Sequence, residues 1–195
     1  IAGVENITGS GGIDYIVGSD GNNVIDGGAG ADYIEGGAGA DTITGGAGID
    51  TIALGLNDAV SDKVSYFGIT ATANANNVTN FEAGAGGDII QISDASVAVD
   101  AGAFTAGTAG TFSTVGAKPD TANKIIVDTI ANLGALGVTI GNLSGNTNNV
   151  YQIAVASDTG AIFYDADGDW RAASVQIGDL DITTGFAVNN IEIIA

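Results

Sequence analysis

The sequence contains no cysteine and no histidine, and each absence excludes a class of chemistry. Without cysteine there are no disulfides, thiolate metal sites or cysteine nucleophiles. Without histidine, the commonest general base, the usual zinc ligand and the base of a serine triad are all missing. A pair of acidic residues could still act on a sugar, but no pair among the 23 Asp and Glu stands out. We therefore expect no enzyme active site.

Basic residues are also scarce. The chain has four Lys and Arg against 23 Asp and Glu, so its formal net charge is −19. Nucleic-acid backbones and anionic membrane surfaces are bound through Lys and Arg. We therefore predict no nucleic-acid partner. No apolar run approaches the roughly 18 residues that a spanning helix needs, so no transmembrane segment is expected. The natural partners of so acidic a chain are cations.

Glycine, by contrast, is abundant, and much of it recurs with a period of nine. Residues 9–53 divide into five nonapeptides with Gly at positions one and four and Ile at position eight. They read GSGGIDYIV, GSDGNNVID, GGAGADYIE, GGAGADTIT and GGAGIDTIA. Position six is Asp14, Asn23, Asp32, Asp41 and Asp50. The register continues upstream to Glu5, so we expect further repeats or another domain before residue 1.

Each nonapeptide predicts half of a coil. Glycines suit a tight turn, and segments such as Thr42–Thr44 suit a short strand in which only the Ile points inward. One coil cannot bury its Ile alone, but stacked coils can. A Gly-rich linker would not keep Ile at every ninth position. The sequence therefore predicts an all-β fold in which residues 1–53 form a parallel β-roll.

Position six recurs on the same edge of the roll at every full coil. Asp14, Asp32 and Asp50 fall on one edge, and Glu5, Asn23 and Asp41 fall on the other. Carboxylates stacked at about the 4.8 Å strand spacing repel one another unless a cation separates them. Ca²⁺ accepts six to eight oxygen ligands, main-chain carbonyls included, whereas Mg²⁺ prefers a tighter octahedron with retained waters. The pattern therefore favours calcium.

The repeats resemble the RTX (repeats-in-toxin) family, whose nonapeptide pattern is GGxGxDxUx. Residues 27–53 match throughout, whereas residues 9–26 carry Ser at position two and Asn23 for Asp; Asn offers an oxygen but no charge. The resemblance implies a parallel β-roll with several Ca²⁺ ions between same-edge turns. The predicted ligands are Glu5, Asp14, Asp20, Asn23, Asp32, Asp41, Asp50 and Asp88, with the main chain of Gly28, Gly30, Gly37, Gly39, Gly46 and Gly48.

Residues 54–195 are predicted to form a β-rich cap and C-terminal region. The phrase VTNFEAGAGGDIIQIS resembles segments that close RTX rolls; Asp88 within it is either a terminal calcium ligand or an ordinary turn residue. Asp165, Asp167 and Asp169 form either a cation site or, as we favour, a hairpin turn. Residues 150–195 resemble RTX C-terminal ends, which carry the signal for type I secretion. Strands are expected near residues 64–67, 124–127, 150–155, 161–164, 173–177 and 191–194.

Two functions fit these features. The first is a secreted, calcium-folded part of a surface-layer, filament or adhesin-like protein that self-associates outside the cell. The second is the calcium-dependent folding and secretion module at the end of a larger hydrolase or toxin. A calcium-dependent carbohydrate-binding module is a third reading, but no residue points to a sugar pocket.

Overall fold

Short strands separated by glycine-rich turns make up the fold. The computed structural model describes residues 5–55, 60–66, 75–84, 86–93, 125–128, 153–156, 159–164, 175–182, 186 and 190–194. Its strands are β1 Asn6–Thr8, β2 Tyr15–Val17, β3 Val24–Asp26, β4 Tyr33–Glu35, β5 Thr42–Thr44, β6 Thr51–Ala53, β7 Lys63–Tyr66, β8 Asn76–Thr79, β9 Ile89–Ser93, β10 Ile125–Asp128, β11 Ile153–Ala156, β12 Ala161–Tyr164, β13 Val175–Leu180 and β14 Ile191–Ile194. Among the described residues there is no α-helix, so the predicted all-β class is confirmed.

Successive strands alternate between two sheets. The first sheet has the order β1-β3-β5-β7-β9-β14, and the second has the order β10-β11-β12-β13-β8-β6-β4-β2. From β1 to β9 every pairing is parallel and joins strands one full coil apart. This alternation is the predicted parallel β-roll.

The core of the roll consists of branched side chains, one from each strand, which align in one file within each sheet. Pairing aligns Ile25 with Ile43 in the first sheet and Ile34 with Ile52 in the second. Ile34, Ile43 and Ile52 are fully buried. Within each three-residue strand the flanking side chains point outward, because side chains alternate across a strand. Each coil therefore depends on its neighbours for burial of its Ile.

The roll continues past the regular repeats. In β7, β8 and β9 the core positions are held by Val64, Val78 and Ile90, all fully buried. Their pairing partners are Ile43, Ile52 and Val64, respectively. The same stacking thus persists after the nonapeptide spacing has been lost. The proposed division of the chain at residue 53 stays a prediction, although both sheets continue across it.

C-terminal strands close both sheets. Strand β13 pairs parallel to β8 and antiparallel to β12, which pairs antiparallel to β11. Strand β14 pairs parallel to β9, aligning Ile191 with Ile90. On its outer face Glu192 accepts hydrogen bonds from Lys63 Nζ at 3.0 Å and Gln91 Nε2 at 2.7 Å. The predicted C-terminal strands are therefore present and complete the roll.

Some expectations concern residues outside the described ranges, including Asp165, Asp167 and Asp169. In the part of the chain that the structure covers, no helix is long and apolar enough to cross a membrane.

Candidate metal sites

Position-six side chains and their counterparts in the later coils form two ladders, one along each edge of the roll. The first edge consists of Asp14, Asp32, Asp50 and Asn76, and the second edge consists of Asn23, Asp41, Asp62 and Asp88. On the first edge each side-chain Oδ1 accepts the main-chain N–H of the ladder residue one coil earlier, at 2.9, 3.0 and 2.9 Å. On the second edge the corresponding distances are 2.8, 2.8 and 2.9 Å. One oxygen of each acceptor is thus used to link coils.

The turns differ in whether the other carboxylate oxygen, Oδ2, has a hydrogen-bond donor. Oδ2 of Asp14 accepts hydrogen bonds from Ser10 N at 2.7 Å and Ser10 Oγ at 2.9 Å. Oδ2 of Asp32 and of Asp50 is buried and has no hydrogen-bond donor, and these side chains are only 2% and 0% exposed. A buried carboxylate oxygen without a donor loses its hydration without replacement. These two atoms therefore lack the partner that a buried carboxylate oxygen needs, and a cation would supply it.

Burial and neighbouring negative charge both raise the pKa of ladder carboxylates. Burial raises the pKa of Asp50; the Asp32 N–H opposes this effect, and the neighbouring Asp32 charge adds to it. Burial also raises the pKa of Asp62 to about 6, with the charges of Asp88 and Asp41 contributing. The one ion pair in the described residues joins Lys63 to Glu192, which is not a ladder residue. An external cation would supply the compensating charge that the described part of the chain does not.

The turns place main-chain oxygens close to the next coil. All six glycines predicted as main-chain ligands have positive φ: Gly28, Gly30, Gly37, Gly39, Gly46 and Gly48. A Cβ added at Gly46 would lie 2.0 Å from Gly28 O, and one at Gly48 would lie 1.6 Å from Gly30 O. Only glycine permits turns to stack this closely. Carbonyl oxygens and aspartates therefore occupy the same narrow edge.

This donor set fits calcium. Among the described residues no three acidic side chains converge on one point. A cation at an edge would therefore combine at most two carboxylates with main-chain oxygens. Ca²⁺ tolerates such a mixed, irregular oxygen shell, whereas Mg²⁺ holds its waters and demands an octahedron. Asp32 and Asp50, together with the carbonyls of their turns, are the residues that would hold it on the first edge.

The remaining predicted ligands take different places. Asp41 stands in the second edge, where its Oδ1 accepts from Asn23 N. Asp88 ends the same ladder; its Oδ2 accepts from Glu82 N at 2.7 Å, so it also closes its own turn. Glu5 and Asp20 have exposed side chains. The assignment of all these residues as calcium ligands stays a prediction.

Sequence reasoning did not identify Asp62 and Asn76 as members of the ladders. Loop insertions lengthen the spacing from 18 residues to 21 between Asp41 and Asp62 and to 26 between Asp50 and Asn76. A shorter pattern survives, since Asp62-Lys-Val64, Asn76-Asn-Val78 and Asp88-Ile-Ile90 each place an Asp or Asn two residues before a core side chain. That pattern would have identified them without the period of nine.

Comparison with known proteins agrees with this geometry. The family model described as the RTX calcium-binding nonapeptide repeat (4 copies) matches residues 2–34 and 17–52. No curated protein matches the chain. Residues 2–52, whose position-six side chains form the earlier part of both ladders, thus match RTX calcium-binding nonapeptide repeats.

Proposed function

We propose that this chain is a secreted structural module that folds when it binds calcium outside the cell, as part of a bacterial surface-layer, filament or adhesin-like protein. The observation that carries the proposal is the buried, donor-less Oδ2 of Asp32 and of Asp50. When Ca²⁺ is scarce these carboxylates oppose folding, and when Ca²⁺ is abundant the binding free energy becomes folding free energy. A net charge of −19 keeps the unfolded chain soluble.

The role is structural and not catalytic. The absence of histidine and cysteine supports this, as does the use of position-six carboxylates to link coils rather than to face a cleft.

Exposed apolar side chains support self-association. Tyr15 and Tyr33 stack on the outer face of the second sheet, with ring centroids 4.9 Å apart and planes 3° from parallel. Nearby repeat units expose Ile13 and Ile49 in first-edge turns. Clustered apolar side chains on a soluble surface mark contact sites. We assign this surface to contact with a second copy of the chain, made once calcium has reduced the repulsion between acidic edges.

A calcium titration followed by far-UV circular dichroism and light scattering, with Mg²⁺ as the control, tests the proposal. We expect a β spectrum that appears with Ca²⁺ but not with Mg²⁺, together with particle growth that the double variant Tyr15→Ser/Tyr33→Ser reduces. A β spectrum that is independent of Ca²⁺ would refute calcium-driven folding.

Folding without particle growth would favour the second candidate, the C-terminal folding and type I secretion module of a larger hydrolase or toxin. The resemblance of residues 150–195 to RTX C-terminal ends supports that candidate.

A further inference from the structure

In the Asn23 turn, a hydrogen-bond donor stands at the place where other turns have a carboxylate oxygen. A Cβ added at Gly27 or Gly45, the first residues of their units, would lie 2.7 or 2.3 Å from Oδ2 of Asp32 or Asp50. A Cβ added at Gly18, the first residue of the unit containing Asn23, would lie 3.2 Å from Asn23 Nδ2. The same position in the turn therefore holds a hydrogen-bond donor in one unit and an acceptor in the others.

The Asn23 amide nitrogen is surrounded by oxygen. It donates to Ser19 O at 3.2 Å, to Asp41 Oδ1 at 3.0 Å and, at shorter range, to Gly21 O. Asn23 is 1% exposed, so these contacts are shielded from water. Two main-chain carbonyls and a carboxylate from the next coil are the oxygen types that Ca²⁺ recruits. Here, they face an N–H₂ group instead.

The remaining atom of the amide is also satisfied. Oδ1 of Asn23 accepts from Ser19 N at 3.2 Å and Ser19 Oγ at 3.1 Å. An amide offers both donors and an acceptor, whereas an ionised carboxylate only accepts. Asparagine can therefore close this turn by itself, and an aspartate here would bring a second carboxylate against the three oxygens.

We propose that the Asn23 side-chain amide replaces a calcium ion in this turn, so that the Asn23–Asp41 pair is closed without metal. The inference rests on the proposed function, because it concerns which of the turns use calcium. Turns with a donor-less Asp oxygen, such as those of Asp32 and Asp50, take the cation. The calcium load is therefore smaller than the number of repeats.

Reciprocal variants of the full chain test the inference, with bound calcium per chain measured by titration calorimetry and by metal analysis after dialysis. Asn23→Asp is expected to bind one more Ca²⁺ per chain and to need more calcium to fold. Asp32→Asn is expected to bind one ion fewer and to keep its β spectrum. Asn6→Asp, on the exposed face of β1, adds the same charge at a position outside both ladders and should leave the count unchanged.

Unchanged calcium counts in both variants, alongside a wild type that binds calcium, would overturn the inference and leave the proposed function standing. If Asn23→Asp does not fold, Asp32→Asn decides: loss of one ion supports the inference, and an unaltered count overturns it. Absence of calcium binding in the wild type would overturn both proposals.

Discussion

Gly48 provides the sharpest test of how the turns stack. Its φ is +139°, and an added Cβ would lie 1.6 Å from Gly30 O and 2.7 Å from Gly30 C. Both atoms belong to the main chain of the preceding first-edge turn, where Gly30 N also donates to Ala47 O at 2.8 Å. Because a main chain held in this way cannot rotate aside, Gly48→Ala must separate the two coils locally.

The expected loss of stability can be worked out from two contributions. A non-glycine residue in a sparsely populated φ/ψ region costs about 1–3 kcal/mol, and forcing an extra methyl into a packed interior costs a similar amount, about 1–3 kcal/mol. Gly48→Ala should therefore lower the free energy of unfolding by about 4 kcal/mol, a large part of the roughly 5–15 kcal/mol typical of a domain.

Two control variants separate these contributions. Gly86 has φ +83°, and an added Cβ would meet nothing within 4 Å, so Gly86→Ala should show only the backbone cost, about 1–2 kcal/mol. Gly11 has neither positive φ nor a neighbour within 4 Å, and Gly11→Ala should change stability by less than about 1 kcal/mol. The assay is urea unfolding in saturating calcium, followed by circular dichroism. If Gly48→Ala costs no more than Gly86→Ala, the close stacking of the turns is wrong.

Three further predictions follow from the packing and the charges. Ile43→Ala should cost about 2–5 kcal/mol in urea unfolding because Ile43 is fully buried, whereas Val24→Ala, at a position 53% exposed, should cost less than about 1 kcal/mol. The raised pKa of Asp62, about 6 against 3.8, means that its ionisation opposes folding as the pH rises through 6. Metal-free protein should therefore gain about 1 kcal/mol between about pH 7 and pH 5, and Asp62→Asn, measured by urea unfolding at both pH values, should gain less. Glu192→Ala should cost less than about 1 kcal/mol in the same assay, because the side chains of Lys63 and Glu192 are about one-third exposed.

The sequence predicted the roll because its periodicity reports packing directly. Ile recurs every nine residues, and the structure buries Ile25, Ile34, Ile43 and Ile52 in two aligned files. The two edges were predicted for the same reason, since side chains one coil apart must stack. What periodicity could not show was the direction of each hydrogen bond. The donor role of Asn23 Nδ2 depends on which carbonyls its turn presents, and composition does not report that.

The nine-residue period did not reveal the later ladder residues, because packing of the core constrains the strands but not the length of the loops between them. A coil tolerates extra residues in its turn provided that its strand returns to the same register, and Asp62 and Asn76 do so after insertions. The C-terminal region was harder to predict, because β12 and β13 pair antiparallel and with a register shift between Ile162 and Phe163. Such pairing carries no repeat, so only its strands could be predicted and not their order.

The coils are linked in the same way along both edges, but the turns differ in how the second carboxylate oxygen, Oδ2, is satisfied. In the regular repeats Oδ2 of Asp32 and of Asp50 meets no donor. Later in the chain Asp62 Oδ2 accepts from Gly55 N at 3.3 Å, and Asp88 Oδ2 accepts from Glu82 N at 2.7 Å. Main-chain donors thus satisfy in these two turns the oxygen that has no donor in the turns of Asp32 and Asp50. On the proposed function, calcium is therefore needed by the first-edge turns of Asp32 and Asp50, whereas the later second-edge turns of Asp62 and Asp88 are closed by the protein's own hydrogen bonds.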